Sequence, residues 1–94
     1  MFVWDSNKAI TNFEKHQVSF EEATTAFLDG NGLDVADQPH SDVEQRTKRL
    51  ACSILGRVLL VVYTERRSVD GKETIRIISA RQASRKERRA YAGR

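Results

Sequence analysis

The 94-residue chain is poor in the residues that staple or punctuate a fold. It has one cysteine, Cys52, which excludes an internal disulfide and suits a reducing compartment. Its two histidines, His16 and His40, form no Cys/His cluster with zinc spacing. Its only proline, Pro39, forbids a regular strand ladder at that point alone. There is no glycine-rich phosphate loop and no dinucleotide fingerprint, which excludes the common nucleotide-binding classes. The longest apolar run, Val58 to Tyr63, is six residues. A membrane-spanning helix needs about 20. Met1 to Asp5 carry no basic segment ahead of an apolar run, so no secretory signal is expected and the cytoplasm is the expected compartment. No internal repeat, linker or low-complexity stretch is visible.

What is present suits one compact domain spanning residues 1–94. Hydrophobic residues are 39% and charged residues 31%, a balance that does not suit disorder. A second core would not fit in so short a chain. The net charge of +3 hides an asymmetry. From residue 76 onward there are seven basic side chains against one acid, Glu87; the remainder has nine basic against twelve acidic. Basic character is therefore gathered at one end. Clustered guanidinium groups suit a polyanion, because each phosphate neutralised releases condensed counterions. A solvated basic helix that binds nothing, or one that meets an acidic protein surface, reads the same way from charge alone.

The periodicities predict the order β-α-α-β-β-β-β-α. Phe2-Val3-Trp4 reads as a short strand and Asp5 as an N-cap. A helix over Ser6 to His16 follows, with Ala9, Ile10 and Phe13 at helical spacing. Ser19 to Glu22 has the capping-box form, and Phe20, Ala23 and Phe27 make an apolar stripe that should end at Asp29 to Gly32. Leu33 to Ala36 looks like a short strand, and Asp37 to Asp42 is a polar loop. Thr47 to Leu55 alternates, with Leu50, Cys52 and Ile54 on one face. Val58 to Tyr63 is apolar on both faces, as a covered central strand would be. A hairpin signal at Val69 to Lys72 precedes the alternating Glu73 to Arg81. Ser84 to Glu87 is a second capping box, opening a helix in which Ala83, Glu87, Ala90 and Tyr91 share a side. The expected class is α+β: two N-terminal helices on an antiparallel sheet of four to five strands, with a short C-terminal helix.

Such a sheet, with arginine on one side and a basic helix beside it, is a fair platform for RNA. Cleavage of RNA needs no metal and no other cofactor. The neighbouring 2′-OH can attack the phosphate if a base takes its proton, a cation stabilises the crowded phosphorane and an acid protonates the leaving oxygen. Arginine suits the cation's part because its planar fork matches two phosphate oxygens. Each candidate also has a bland reading. Arg76 could pair with an acid across the sheet, and His16 could cap the end of its helix. His40 could be a loop residue ordered by Asp37; with Asp37 and Asp42 it could also mimic a metal triad, but no metal site is expected. Tyr91 could be packing, and Cys52 and Trp4 core.

In order along the chain, Phe2-Val3-Trp4-Asp5, Lys8-Ala9, Asn12, Lys15-His16 and Val18 to Ala23 resemble the opening of BrnT toxins. Asp37 to Ser41 with Glu44 and Arg46, Leu59 to Val62 with Thr64-Glu65-Arg66, and Arg76 to Arg81 with Ala83 and Arg85 to Tyr91 resemble the family's loop, strand and closing segments in turn. The resemblance covers nearly the whole chain, and Arg67 to Lys72 depart from it by lengthening a turn. It implies a RelE-like fold and the toxin of a type II toxin–antitoxin system, a ribonuclease that arrests translation. It also implies a BrnA-type antitoxin with a ribbon-helix-helix domain, which neutralises the toxin and binds operator DNA. On this reading Arg76 and Arg81 are the expected phosphate and transition-state ligands, and His40 and Glu44 the proton-transfer groups. Lys15, His16, Arg46, Arg66, Arg85, Arg88, Arg89 and Tyr91 are the expected RNA contacts. Two alternatives stay open: a non-catalytic RNA- or single-stranded-DNA-binding module, and a gyrase-poisoning toxin of the same fold.

Overall fold

Asp5 stops the first extended segment and starts the first helix. In the computed structural model, which describes residues 1–37 and 45–93, its carboxylate accepts the amides of Asn7 and Lys8 at 2.8 and 3.2 Å. That satisfies two of the donors a helix start leaves orphaned. Strand β1 (Phe2–Val3) precedes it and helix α1 (Ser6–His16) follows. Gln17 closes α1 in the left-handed region, at φ 59°. Ser19 then caps helix α2 (Phe20–Thr25) by accepting the Glu22 amide at 2.9 Å. The reciprocal half of the expected capping box does not form. The Glu22 carboxylate turns away to the guanidinium of Arg57 and accepts from the Ser53 hydroxyl at 2.6 Å. A 3₁₀ turn, Ala26–Leu28, ends this helical layer.

Four longer elements make most of the sheet: β2 (Leu33–Ala36), β3 (Arg46–Cys52), β4 (Val58–Arg67) and β5 (Glu73–Gln82). Helix α3 (Arg85–Ala92) closes the described chain. The element order is the one expected from the periodicities, and the class is α+β. The sheet runs β1-β5-β4-β3-β2 and is mixed, where an antiparallel one was expected. β2 to β5 form antiparallel ladders, and tight turns join β3 to β4 and β4 to β5. No hairpin links β1 to β5, and β1 lies parallel to it, with Phe2 opposite Ile75 and Val3 opposite Arg76. β3 also stops earlier than expected. Ser53 to Arg57 form a tight turn, with Gly56 at φ 78°, that leaves Ile54 76% exposed.

Helices α1 and α2 cover one sheet face. Val18, Phe20, Ala23, Ala26, Ala51, Leu59, Val61, Ile77 and Ala80 form the core between them. Phe2, Phe27 and Tyr63 stack in series at 5.1 and 4.9 Å, and Trp4 meets Phe20 edge-on at 5.9 Å. Arg49 also points to this face. It donates to the carbonyls of Ala26 and Asp29 at 3.0 and 2.6 Å and pairs with Asp34 at 2.6 Å. A Cβ on Gly32 would collide with its guanidinium, so any larger residue there would displace that group. Ile10 and Phe13, expected on the packed side of α1, are 59% and 47% exposed. The buried residue of α1 is polar Asn12, whose amide donates to Ala80 O at 2.8 Å and accepts from Ala80 N at 3.1 Å. It continues the short β1 edge like one more residue of strand. A second donation, to Val18 O at 3.0 Å, ties in the link to α2.

Candidate nucleic-acid interface

The β4–β5 ladder carries the feature that builds the opposite face. Val62 pairs with Ser79 and Tyr63 with Ile77, so Ile78 is an extra residue, a β-bulge. Strict alternation would put Arg76 and Arg81 on opposite faces, since they are five positions apart. The bulge switches the parity. Arg76 lies opposite Thr64 and Arg81 opposite Leu60, and Thr64 and Leu60 share the face away from α1 and α2. Both arginines therefore stand on the sheet's second face, about 13 Å apart along the strand. Arg46 and Lys48 of β3 stand on it too, opposite Thr64 and Val62, as does Arg66 of β4, opposite Thr74.

One cross-strand row runs Val3, Arg76, Thr64, Arg46 over β1, β5, β4 and β3. Beside it Val3, Arg66, Thr74 and Arg76 line a hollow of about 220 Å³. Arg76 makes no hydrogen bond or ion pair with any described residue. Arg46 and Arg66 already engage other groups. Lys48 lies 3.6 Å from the buried carboxylate of Asp37.

Arg81 differs from Arg76. Its fork is closed on Glu87, with Nη1 to Oε1 at 2.8 Å and Nη2 to Oε2 at 3.0 Å. The same carboxylate accepts the Ser84 amide at 2.8 Å, completing the capping box of α3. Hydrogen bonding to Arg81 above all holds Glu87 at a pKa of about 2. With three of its five N–H groups spent on Glu87 and the Gln82 carbonyl, Arg81 has less to offer a phosphate than Arg76 has. The far end of α3 is tied by Tyr91, whose hydroxyl donates to Asp29 at 2.5 Å; Asp29 also accepts the Cys52 amide at 2.9 Å. No side chain of α3 is buried. Glu87 and Tyr91 face inward while Ala90, expected beside them, is exposed. Arg85 and Arg89 point to solvent, and Arg88 donates to Ala83 O at 2.8 Å.

Lys15 and His16 sit in the last turn of α1, in the helical layer behind the sheet, and are not brought together with Arg76. His40 and Glu44 lie outside the described residues. Among the described residues no three His, Cys, Asp or Glu side chains cluster as a metal would require. No helix of the described chain is long and apolar enough to cross a membrane. Asn12, which ties β5 to α1 behind the sheet, and Thr64, which stands in the row itself, are residues that reasoning from residue type passed over. An isolated asparagine among the apolar positions of α1 was the available signal for the first; nothing local marks the second.

A small α+β domain that fixes arginines on one sheet face, beside a basic helix, has the charge arrangement that a polyanion-handling protein needs. The sequence profile of a family described as "Ribonuclease toxin, BrnT, of type II toxin-antitoxin system" matches residues 4–87. The chain belongs to this BrnT family of ribonuclease toxins. No curated protein matches it. Among solved structures, the crystal structure of the Brucella abortus ribonuclease toxin BrnT superposes with a TM-score of 0.63 at 22% identity. The match covers 90% of this chain and 99% of that one, so the fold is shared.

Proposed function

We propose that the chain is a metal-independent endoribonuclease of RelE-like type, with Arg76 as the ligand of the scissile phosphate. The observation that carries this reading is the state of Arg76. Its backbone is held in mid-sheet between β1 and β4, while its guanidinium has no described partner and borders an open hollow. A rigid base with an uncommitted planar fork is what an in-line attack by a 2′-OH needs at the developing phosphorane. Arg46 and Arg66 add positive charge on either side. Arg85, Arg88 and Arg89 form a looser rim that tracks the RNA backbone. His40 and Glu44, in the segment leading into β3, supply the proton transfers.

Cutting RNA in this way inhibits translation in the cytoplasm. A BrnA-type ribbon-helix-helix antitoxin neutralises the toxin and carries the pair to operator DNA. Membership of a family of type II toxins supports an antitoxin and an RNA target. The test is cleavage of a defined RNA by purified protein in the presence of a chelator. Arg76→Ala is expected to lose cutting by a factor of about 10² or more while keeping its circular dichroism. Unchanged cutting would remove Arg76 from the site. Salt-sensitive RNA binding without any cutting by the unaltered protein would point instead to a binding module, and DNA breaks with intact RNA to a gyrase poison.

A further inference from the structure

Among the described residues, Thr64 Oγ1 is the only buried side-chain polar atom without a hydrogen-bond partner. The residue is 2% exposed. Buried hydroxyls are almost always paired, because a lone one has lost its water for nothing. Structure alone gives no reason for a hydroxyl here. Valine has the same branched shape, suits a strand equally well and leaves nothing unsatisfied. A group that reaches the hydroxyl from outside the protein would explain its presence.

The position of Thr64 indicates the chemistry of that group. It stands in the row between Arg46 and Arg76, with one neighbour on each adjacent strand. Strands lie about 4.8 Å apart, so the two arginines rise about 10 Å from each other with Thr64 midway. Side chains of that length can converge over the central residue. Arg46 already holds another partner. The set above Thr64 is therefore one uncommitted guanidinium fork, that of Arg76, over a hydroxyl donor, with the charge of Arg46 alongside. Such a set suits an anionic phosphate oxygen. Arg76 is held by no described partner and borders the hollow beside this row, so it can move without breaking a bond.

We propose that Thr64 is the floor of a phosphodiester subsite, its Oγ–H donating to a non-bridging phosphate oxygen that Arg76 grips from the side. This rests on the reading of the arginine face as the RNA site and adds a residue to it. The hydroxyl stays unpaired in the free protein and is satisfied only in the complex, so its contribution appears in binding and not in stability.

The experiment compares Thr64→Val and Thr64→Ser with the unaltered protein. The probe is a single-stranded DNA oligonucleotide, which offers phosphodiesters but no 2′-OH to react. Binding is followed by fluorescence anisotropy at one fixed low salt concentration, and stability by urea unfolding. Thr64→Val is expected to unfold at the same or higher urea concentration yet bind about tenfold more weakly or worse, as for a lost hydrogen bond to a charged group. Thr64→Ser, which keeps the hydroxyl, is expected to bind within about twofold of the unaltered chain. Equal binding by a folded Thr64→Val protein would overturn the proposal. So would a Thr64→Val protein that fails to fold, since the hydroxyl would then have a structural task, and so would an unaltered protein that ignores the oligonucleotide. RNA cutting is scored separately. Oligonucleotide binding that needs Thr64, with no cutting by any form, would refute the nuclease reading and leave the subsite standing. Normal cutting and binding by Thr64→Val would do the reverse.

Discussion

Asn12→Ala should be among the most damaging single changes in this protein, and the reason lies in the short length of β1. That strand reaches only Val3, opposite Arg76, so β5 beyond it has an uncovered edge. At Ala80 the backbone N–H and C=O both point to that edge, and the Asn12 amide meets both, at 3.1 and 2.8 Å, while donating to Val18 O at 3.0 Å. Asn12 is 8% exposed, so water does not replace these bonds readily. Three hydrogen bonds at about 1 kcal/mol each, with the added penalty of stranded partners, give a loss of about 3–4 kcal/mol. Against a total of about 5–15 kcal/mol for a domain, that is a large share. For a chain of this length it lowers the melting temperature by roughly 15 °C or more. Asn12→Asp should fare no better, since it presents a carboxylate oxygen to two carbonyl oxygens. Urea unfolding followed by far-UV circular dichroism measures the difference. A loss under about 1 kcal/mol for Asn12→Ala would refute the idea that one side chain substitutes for the missing strand. A folded Asn12→Ala protein should also cut RNA poorly for its stability, because the strand it releases carries Arg76.

Three other outcomes follow from named contacts. Arg57→Ala strips the guanidinium from Glu22, whose side chain is only 5% exposed, and should cost about 3 kcal/mol; adding Glu22→Gln should recover part of the loss, and a double variant no more stable than Arg57→Ala would contradict this. Glu87 has its pKa depressed from 4.5 to about 2 by Arg81, so its contribution is complete above about pH 5 and is lost as pH falls from 4.5 through 2. The stability gap between the unaltered protein and Glu87→Gln in urea should therefore narrow from pH 7 to pH 3, and a gap that widens would reverse the assignment. Replacing Arg85, Arg88 and Arg89 together with Gln should flatten the salt dependence of single-strand binding by up to about two units in log–log slope; an unchanged slope would place the nucleic acid away from α3.

Most local signals in this chain were obeyed, although β3 ends at Cys52 and the Ser19 capping box only half-forms. Asp5, Ser19 and Ser84 each start a helix because a short side-chain oxygen next to a helical pattern satisfies orphaned amides wherever it occurs. Strand positions, the basic end and the family resemblance are likewise properties of residues and their order. What no local pattern contained is which side chains meet. Alternation along β5 assigns Arg76 and Arg81 to different faces. The bulge at Ile78 brings them to one, and a bulge is defined by register against β4. Whether a charge is available or spent is also a matter of neighbours. Arg81 and Arg76 look alike in sequence, yet Glu87 reaches back to the first and no described residue reaches the second. Glu22 left its capping box because Arg57 arrived from a distant turn. Thr64 became a buried, unpaired hydroxyl because β3 and β5 closed on either side of it. Backbone conformation is decided by contacts a few residues long, and the sequence by itself determined it. Register, pairing and burial depend on segments brought together from across the chain, and only the tertiary structure decided them.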